Sequence, residues 1–202
     1  MSAPTHTLTI VKGKTLEVPL IYAESVLAYR PITAVVSVAP LRLTVLSHGV
    51  IDGWPVRIQG IAAPSGLNTA EGSVVLASLV DTDTVEFNSI DASLLGDITP
   101  GGNVVYNLPT DITGWKFRMQ IRNKVGGEIF LTFSSDPADS PDGTITVDAT
   151  NSVFTVGLDA VTTAAITWNG GVYDIEAIRP DGKVVSVIGI SPVIASKEVT
   201  IW

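Results

Sequence analysis

Hydrophobic and polar residues alternate along much of this chain, most clearly over residues 116–122. There Phe117, Met119 and Ile121 are separated by charged and amide side chains. Successive side chains of a β-strand point to opposite faces, so this segment has one apolar and one polar face. The pattern predicts an antiparallel strand with one face buried and the other in water.

Similar runs rich in Val, Ile and Thr recur between Gly, Pro, Asn and Asp residues, which is typical of an all-β protein. Arg179-Pro180-Asp181-Gly182 predicts a tight turn between antiparallel strands, and Asn169-Gly170-Gly171 predicts another turn. One short helix is predicted over residues 159–166, with Asp159 as its N-cap. The predicted strands are residues 7–11, 16–22, 41–45, 55–61, 72–79, 84–87, 115–122, 129–133, 144–148, 153–158, 171–178 and 184–194.

The middle of the chain is more acidic than its flanks. Between Pro31 and Leu108 there are two arginines and seven acids, which gives −5 of the total charge of −8. Proline and glycine residues mark both ends of this segment, as is common where one domain is inserted into a loop of another. We therefore expect one domain from residues 1–30 and 109–202, and an inserted domain from residues 31–108.

The overall composition excludes several classes of protein. Hydrophobic residues make up 46% of the chain and charged residues 16%, which is not the composition of a disordered chain. So many apolar residues suggest surface that partner subunits cover. A net charge of −8 disfavours binding to nucleic acid or to an anionic membrane surface.

The absence of cysteine removes disulfides, thiolate metal sites and cysteine nucleophiles from consideration. Residues 1–9 lack the features of a signal peptide, and no apolar run approaches the ~20 residues that span a bilayer. We therefore expect neither secretion by the main route nor membrane insertion.

The stretch from Pro109 to Thr200 resembles the immunoglobulin-like module at the N-terminus of tailed-phage baseplate and tail proteins. The segment Val11–Leu16 is similar to the strand that completes the sandwich in that family. The matching motifs are D-x-T-G-x-x-x-R-M-Q-I-R from Asp111 to Arg122, Y-D-I-E from Tyr173 to Glu176, P-D-G from Pro180 to Gly182, and E-V-T from Glu198 to Thr200.

The middle segment resembles a second phage module, a small β-barrel found in tail and fibre proteins. Its matching residues are His48-Gly49, Asp52-Gly53, Val56, Ile58-Gln59-Gly60 and Leu67-Asn68. The chain departs from that pattern at Trp54-Pro55 and lacks a glycine after Asn68. Together the two resemblances imply an immunoglobulin-like β-sandwich interrupted by a small β-barrel, within a virion assembled in the host cytoplasm. Neither family supplies catalytic residues.

Few residues of this chain carry candidate chemistry. His6 and His48 are the only histidines, and no carboxylates are spaced to complete a zinc site with them. Asp136, Asp139 and Asp142 lie in one proline-containing loop, which is either a solvated turn or a partial calcium site.

Four tryptophans are candidates for stacking on sugars, although such residues more often fill a core or anchor an interface. They are Trp54, Trp115, Trp168 and Trp202. The sequence contains neither a nucleophile elbow nor a phosphate-binding glycine loop, and no paired carboxylates sit where one pKa would rise. We therefore expect no catalytic residues, no cofactor and no metal.

The last residues of the chain, 197–202, alternate as a strand and predict an open sheet edge. Val199, Ile201 and Trp202 are therefore candidate subunit contacts. The leading hypothesis is a structural component of a phage tail, neck or baseplate, which binds other phage structural proteins and copies of itself. The alternatives are a receptor- or carbohydrate-binding module at the tail tip and a capsid decoration protein.

Overall fold

The structure is a computed structural model that describes residues 3–198. Strands account for 49% and helices for 6% of it, so the prediction of an all-β protein is confirmed. The chain divides into two compact units, one containing residues 3–22 and 111–198 and the other residues 23–110. We call them the outer unit and the inserted unit.

The outer unit contains one eight-stranded sheet with the order β1-β15-β14-β10-β11-β12-β13-β2. Neighbouring strands are antiparallel except β1 with β15 and β11 with β12, which are parallel. Its strands are β1 (Leu8–Val11), β2 (Leu16–Ile21), β10 (Lys116–Arg122), β11 (Ile129–Ser134), β12 (Gly143–Asp148), β13 (Val153–Leu158), β14 (Gly170–Ile178) and β15 (Val184–Ser196).

This sheet curves strongly, because its two edge strands are consecutive in the chain. Four residues separate Val11 from Leu16, so the Cα atoms of these two residues lie at most about 18 Å apart. Eight strands laid flat would separate the same edges by about 34 Å. The curved sheet encloses one core, in which Phe117, Ile121 and Ile175 are fully buried.

The inserted unit contains a seven-stranded sheet with the order β3-β9-β6-β7-β8-β5-β4. Only two residues separate its edge strands β3 and β4 in the chain, so this sheet also curves back on itself. Its core contains Trp54, Ile58, Phe87 and Tyr106. Its strands are β3 (Ala23–Pro31), β4 (Ala34–Val38), β5 (Leu41–Thr44), β6 (Trp54–Gln59), β7 (Val75–Leu79), β8 (Thr84–Phe87) and β9 (Asn103–Pro109).

The predicted local features are present in the outer unit. The helix α1 (Ala160–Ala164) is capped by Asp159, whose side chain accepts a hydrogen bond from the backbone N–H of Thr162. The Arg179–Gly182 turn joins β14 to β15, and the N–H of Gly182 donates to the carbonyl of Arg179.

The fold differs from the sequence-based expectation in three respects. The strands β3, β4 and β9 were not predicted. The first unit boundary falls after Tyr22 rather than near residue 30, because β3 pairs with β9 in the inserted sheet. The predicted turn at residues 169–171 is already strand at Gly170. Glycine is needed within this strand, because a Cβ at Gly171 would lie 2.3 Å from the carbonyl oxygen of Arg122.

Candidate functional site

The inserted unit carries most of the exposed apolar surface. Eleven of the eighteen exposed large hydrophobic residues found in residues 3–198 lie within it. Where exposed apolar residues form a contiguous patch, that patch commonly marks an interaction site. The eleven residues are Val26, Tyr29, Val36, Val38, Leu46, Val74, Leu76, Leu79, Val80, Leu94 and Leu95.

One edge of the inserted sheet is apolar along its length. The edge strand β4 pairs with β5 only, and Val36 and Val38 are exposed. Exposed leucines lie near both of its ends. Leu46 lies near the start of β4, because it is two residues after Thr44, which pairs with Ala34. Leu94 lies near the end of β4, because it is two residues after Ala92, whose N–H donates to the carbonyl of Val38. We call Val36, Val38, Leu46 and Leu94 the β4 strip.

A groove of about 370 Å³ lies elsewhere on the inserted unit, between residues 66–75 and 89–95. Leu67, Val75 and Ile90 form its inner wall, while Val74 and Leu95 are exposed at its rim. Asn68, Thr69, Ser89 and Asp91 also line this groove, so it is mixed in character, whereas the β4 strip is mainly apolar.

The outer unit has a polar cleft of about 370 Å³ on the outer face of β10 and β14. Arg122 is fixed there, because its guanidinium donates to the side-chain oxygen of Gln120 at 2.7 Å and to the carbonyl of Gly127 at 2.6 Å. Asp174 and Glu176 also line the cleft, and their carboxylates bond to no other residue within 3–198. Arg118 lines the cleft as well. The cleft therefore combines two cations, one of them held in place, with two carboxylates, an arrangement suited to a charged ligand.

His48 is a structural residue of the inserted unit and is 1% exposed. Its Nδ1 accepts from the backbone N–H of Val50 at 3.0 Å, so Nε2 carries the proton and donates to the carbonyl of Asp81 at 2.8 Å. The hydroxyl of Tyr106 donates to the carbonyl of His48. Both ring nitrogens are occupied by backbone partners, which leaves neither of them for a metal or a substrate.

The three acids of the loop between β11 and β12 have separate partners. Asp136 accepts from Nζ of Lys116 at 2.9 Å, and this bond is the main reason why the pKa of Asp136 is lowered. Asp139 accepts from the hydroxyl of Ser134 at 2.6 Å, and Asp142 from the backbone N–H of Thr132 at 2.8 Å. The three carboxylates therefore tie the loop to the strands β10 and β11. Across residues 3–198 no three His, Cys, Asp or Glu side chains are placed to share a metal ion.

The three tryptophans of residues 3–198 pack within their own units. Trp54 is 2% exposed and donates its indole N–H to the carbonyl of Asn107 at 2.9 Å. Trp168 stacks on Phe130, with ring centroids 5.0 Å apart.

Trp115 is surrounded by three other side chains. It lies edge-on to Tyr22, stacks on Phe117, and has the guanidinium of Arg179 5.5 Å from its ring centroid. The ring is half-buried, and part of it lines an open groove together with Lys116, Asp136 and Pro137.

The predicted contacts Val199, Ile201 and Trp202 lie outside the described residues and stay a prediction. The strand predicted over residues 197–202 is wrong for its first two residues, since β15 ends at Ser196. The carboxylate of Glu198 instead lies 3.1 Å from Nζ of Lys14.

No family model and no curated protein matches this chain. Across residues 3–198 no helix has both the length and the apolar character to cross a membrane.

The β4 strip and the polar cleft are features that the sequence-based prediction missed. The β4 strip is visible only once the pairing partners of β4 are known.

Proposed function

We propose that this protein is a non-enzymatic structural component of a bacteriophage tail, neck or baseplate, and that it acts by binding other subunits. The observation that carries the proposal is the concentration of exposed apolar residues on the inserted unit. Burial of apolar surface is the main driving force of most protein association, at about 25 cal/mol per Å². Both segments resemble modules of phage tail proteins, and this resemblance supports a phage particle as the place where the protein acts.

We further propose that the outer unit is an immunoglobulin-like sandwich. Two series of neighbouring strands support this. The order β2-β13-β12 corresponds to strands B, E and D, and β10-β14-β15 corresponds to C, F and G, with β11 beside C. In this assignment the inserted unit occupies the connection between strands B and C. The curvature of its seven-stranded sheet supports a small barrel there.

A structural role without catalysis is consistent with the titratable groups of residues 3–198. The aspartates with lowered pKa values accept hydrogen bonds from residues close in sequence, except Asp136, whose main partner is Lys116. Asp111 accepts from Thr113, and Asp148 from Asn151. Such bonds stabilise turns, whereas catalytic carboxylates need environments that drive two pKa values apart.

The polar cleft favours a second candidate function, a receptor-binding module at the tail tip. Its unpaired Asp174 and Glu176 are suited to a basic group on a protein receptor. A carbohydrate ligand is disfavoured in this cleft, because no tryptophan of residues 3–198 lines it.

The location of the chain in purified particles tests the proposal. Mass spectrometry of density-purified particles should detect the chain at a fixed ratio to the major tail protein. A low-resolution map with a labelled copy should then place it in the tail, neck or baseplate. A label on the head shell would instead support capsid decoration. Recovery of the chain only from the particle-free lysate would overturn the proposal.

A further inference from the structure

The polar cleft of the outer unit lies where the charged faces of β10 and β14 adjoin. Arg118 lies directly opposite Glu176 in the antiparallel ladder, and Gln120 lies directly opposite Asp174. All four side chains line the cleft. Residues opposite each other in such a ladder have Cβ atoms only about 5 Å apart. The cations of β10 and the carboxylates of β14 are therefore near enough to form ion pairs.

The two arginines of the cleft bond elsewhere instead. Nε of Arg118 lies 3.7 Å from a carboxylate oxygen of Asp139, in the loop after β11. Arg122 donates to the side-chain oxygen of Gln120 on its own strand and to the carbonyl of Gly127 in the turn before β11. Both cations therefore have their partners on β10 and in the loops at the two ends of β11.

The carboxylates of Asp174 and Glu176 bond to no other residue within 3–198. The cleft thus has a cationic wall on β10 and an anionic wall on β14, which form no ion pair with each other. A ligand with a single charge would be attracted by one wall and repelled by the other. A small zwitterion complements both walls at once.

The guanidinium of Arg122 is prepared to bind a carboxylate. A guanidinium has five N–H donors. The bonds to Gln120 and Gly127 use the N–H of Nε and one N–H on each terminal nitrogen, so one further N–H remains on each terminal nitrogen. Two such donors are suited to the two oxygens of a carboxylate. Because its partners already hold this side chain in place, ligand binding costs it little conformational freedom.

Apolar side chains adjoin the Arg122 end of the cleft. Val172 lies opposite Arg122 in the ladder, and Val125 lies three residues after Arg122 in the turn between β10 and β11. Ile190 of the neighbouring strand β15 lines the cleft as well. Val125 is 67% exposed and Ile190 is 58% exposed. An apolar group close to the carboxylate of the ligand would cover part of this surface.

We propose that the polar cleft binds a free α-amino acid with an apolar side chain. Its carboxylate accepts from the two remaining N–H groups of Arg122, its ammonium group donates to Asp174, and its side chain packs on Val172. Arg122 and Asp174 are diagonal neighbours in the ladder, within reach of long side chains. The cleft volume of about 370 Å³ is that of a small-molecule site, since such sites measure ~300–1,000 Å³.

This inference goes beyond the proposed function, because it gives the outer unit a small-molecule ligand. A matched series of ligands tests it on the purified parent protein. L-leucine carries both charges, N-acetyl-leucine carries only the carboxylate, and leucinamide carries only the ammonium group. In calorimetric titrations at low salt, L-leucine should bind at least about tenfold more tightly than either analogue, because each analogue loses one charge-assisted contact.

Two results of these titrations would overturn the inference. One is equal binding of all three ligands, and the other is no binding of L-leucine at millimolar concentrations. Phosphoethanolamine is a zwitterion that carries a phosphate in place of the carboxylate. If it bound more tightly than L-leucine, the ligand would not be an amino acid.

Variants of the cleft locate the binding site. Asp174→Asn preserves the shape of the side chain and removes its charge, so the affinity for L-leucine should fall at least about tenfold. Arg122→Lys retains the charge but loses the paired donors, and it should also weaken binding. The matched control is Glu17→Gln, because Glu17 is an exposed carboxylate on β2 of the same unit. Unchanged affinity in Asp174→Asn, or an equal loss in Glu17→Gln, would contradict the assignment of this cleft.

The outcomes separate this inference from the proposed function. If the chain is found in particles but does not bind L-leucine, the inference fails and the structural role stands. If the chain binds L-leucine but is absent from particles, the small-molecule site stands and the phage role fails.

Discussion

The phenol of Tyr173 donates a hydrogen bond of 2.6 Å to the backbone carbonyl oxygen of His6. Tyr173 lies in β14 and is 4% exposed, whereas His6 lies in the segment before β1. The backbone N–H of His6 donates in turn to the hydroxyl of Ser191 at 3.1 Å. These two bonds attach the segment that precedes β1 to the nearby strands β14 and β15.

Tyr173 should make the outer unit sensitive to alkali. Burial raises the pKa of Tyr173 from 10.0 to about 12, since the ionised phenolate is disfavoured in the core. The folded state therefore holds this proton more tightly than the unfolded state. The resulting stability is fully present below pH 10 and is lost as the pH rises through about 12. Tyr173→Phe should cost about 1 kcal/mol at neutral pH and remove this part of the pH dependence.

Urea unfolding of the two proteins at several pH values between 7 and 12 measures the effect. The difference in unfolding free energy between parent and Tyr173→Phe should shrink as the pH approaches 12. The control is Tyr29→Phe, because Tyr29 is 59% exposed. A difference that stays constant over the whole range would contradict the prediction.

Loss of the His48 side chain should destabilise the inserted unit. The ring satisfies the N–H of Val50 and the carbonyl of Asp81 in a site that water does not reach. His48→Ala leaves both backbone groups unpaired, at about 1–3 kcal/mol each. The measurement is thermal unfolding together with hydrogen exchange, and the loss of protection should centre on residues 45–53 and 79–84. His6→Ala is the control, and an equal effect of both variants would show that the His48 contacts contribute little.

Asp159 should contribute to the loss of stability in acid. Its pKa is lowered, mainly because its carboxylate accepts a hydrogen bond from the backbone N–H of Thr162. A depressed folded-state pKa gives stability that is present above the unfolded value of about 3.9. That stability is lost as the pH falls through the folded-state pKa. Asp159→Asn keeps a capping oxygen without the charge, so its melting temperature should fall less than that of the parent between pH 5 and about 3. Asp159→Ala should have the lowest melting temperature at neutral pH, and a value equal to the parent's would exclude a capping role.

The outer unit should fold without the inserted unit. Each unit has its own core, and the outer core is formed by residues on both sides of the insertion. Tyr22 and Trp115, close to the two ends of the insertion, have ring centroids only 5.5 Å apart. Replacing residues 23–110 with a short Gly/Ser linker should therefore preserve a β-sheet circular dichroism spectrum and cooperative unfolding. A spectrum of an unfolded chain would show that the two units depend on each other to fold.

Much of the outer unit could be predicted from the sequence, because it depends on interactions between residues that are close in the chain. The alternation of Phe117, Met119 and Ile121 identifies the buried face of β10, because the side-chain period of a strand is two. The turn at Pro180–Gly182 and the cap at Asp159 depend on residues within four positions of each other. Such contacts need no knowledge of the rest of the chain.

Other features depend on contacts between distant residues. The sequence did not predict β3 and β9, which pair across more than seventy residues, so the boundary at residue 22 was missed. It did not predict the bond from His48 to the carbonyl of Asp81. A propensity pattern shows which residues fit a strand, and it carries no information on which strand becomes the neighbour.

The sequence by itself determined the all-β class, the half-buried strand of residues 116–122 and the turn from β14 to β15, because each follows from neighbouring residues. Only the tertiary structure decided which strands lie at the sheet edges and which valines stay exposed there. As an interior strand, the same sequence Ala-Val-Val-Ser-Val would have its backbone groups paired on both sides. In β4 it pairs with β5 alone, and the residues within a strand do not determine how many neighbouring strands it has.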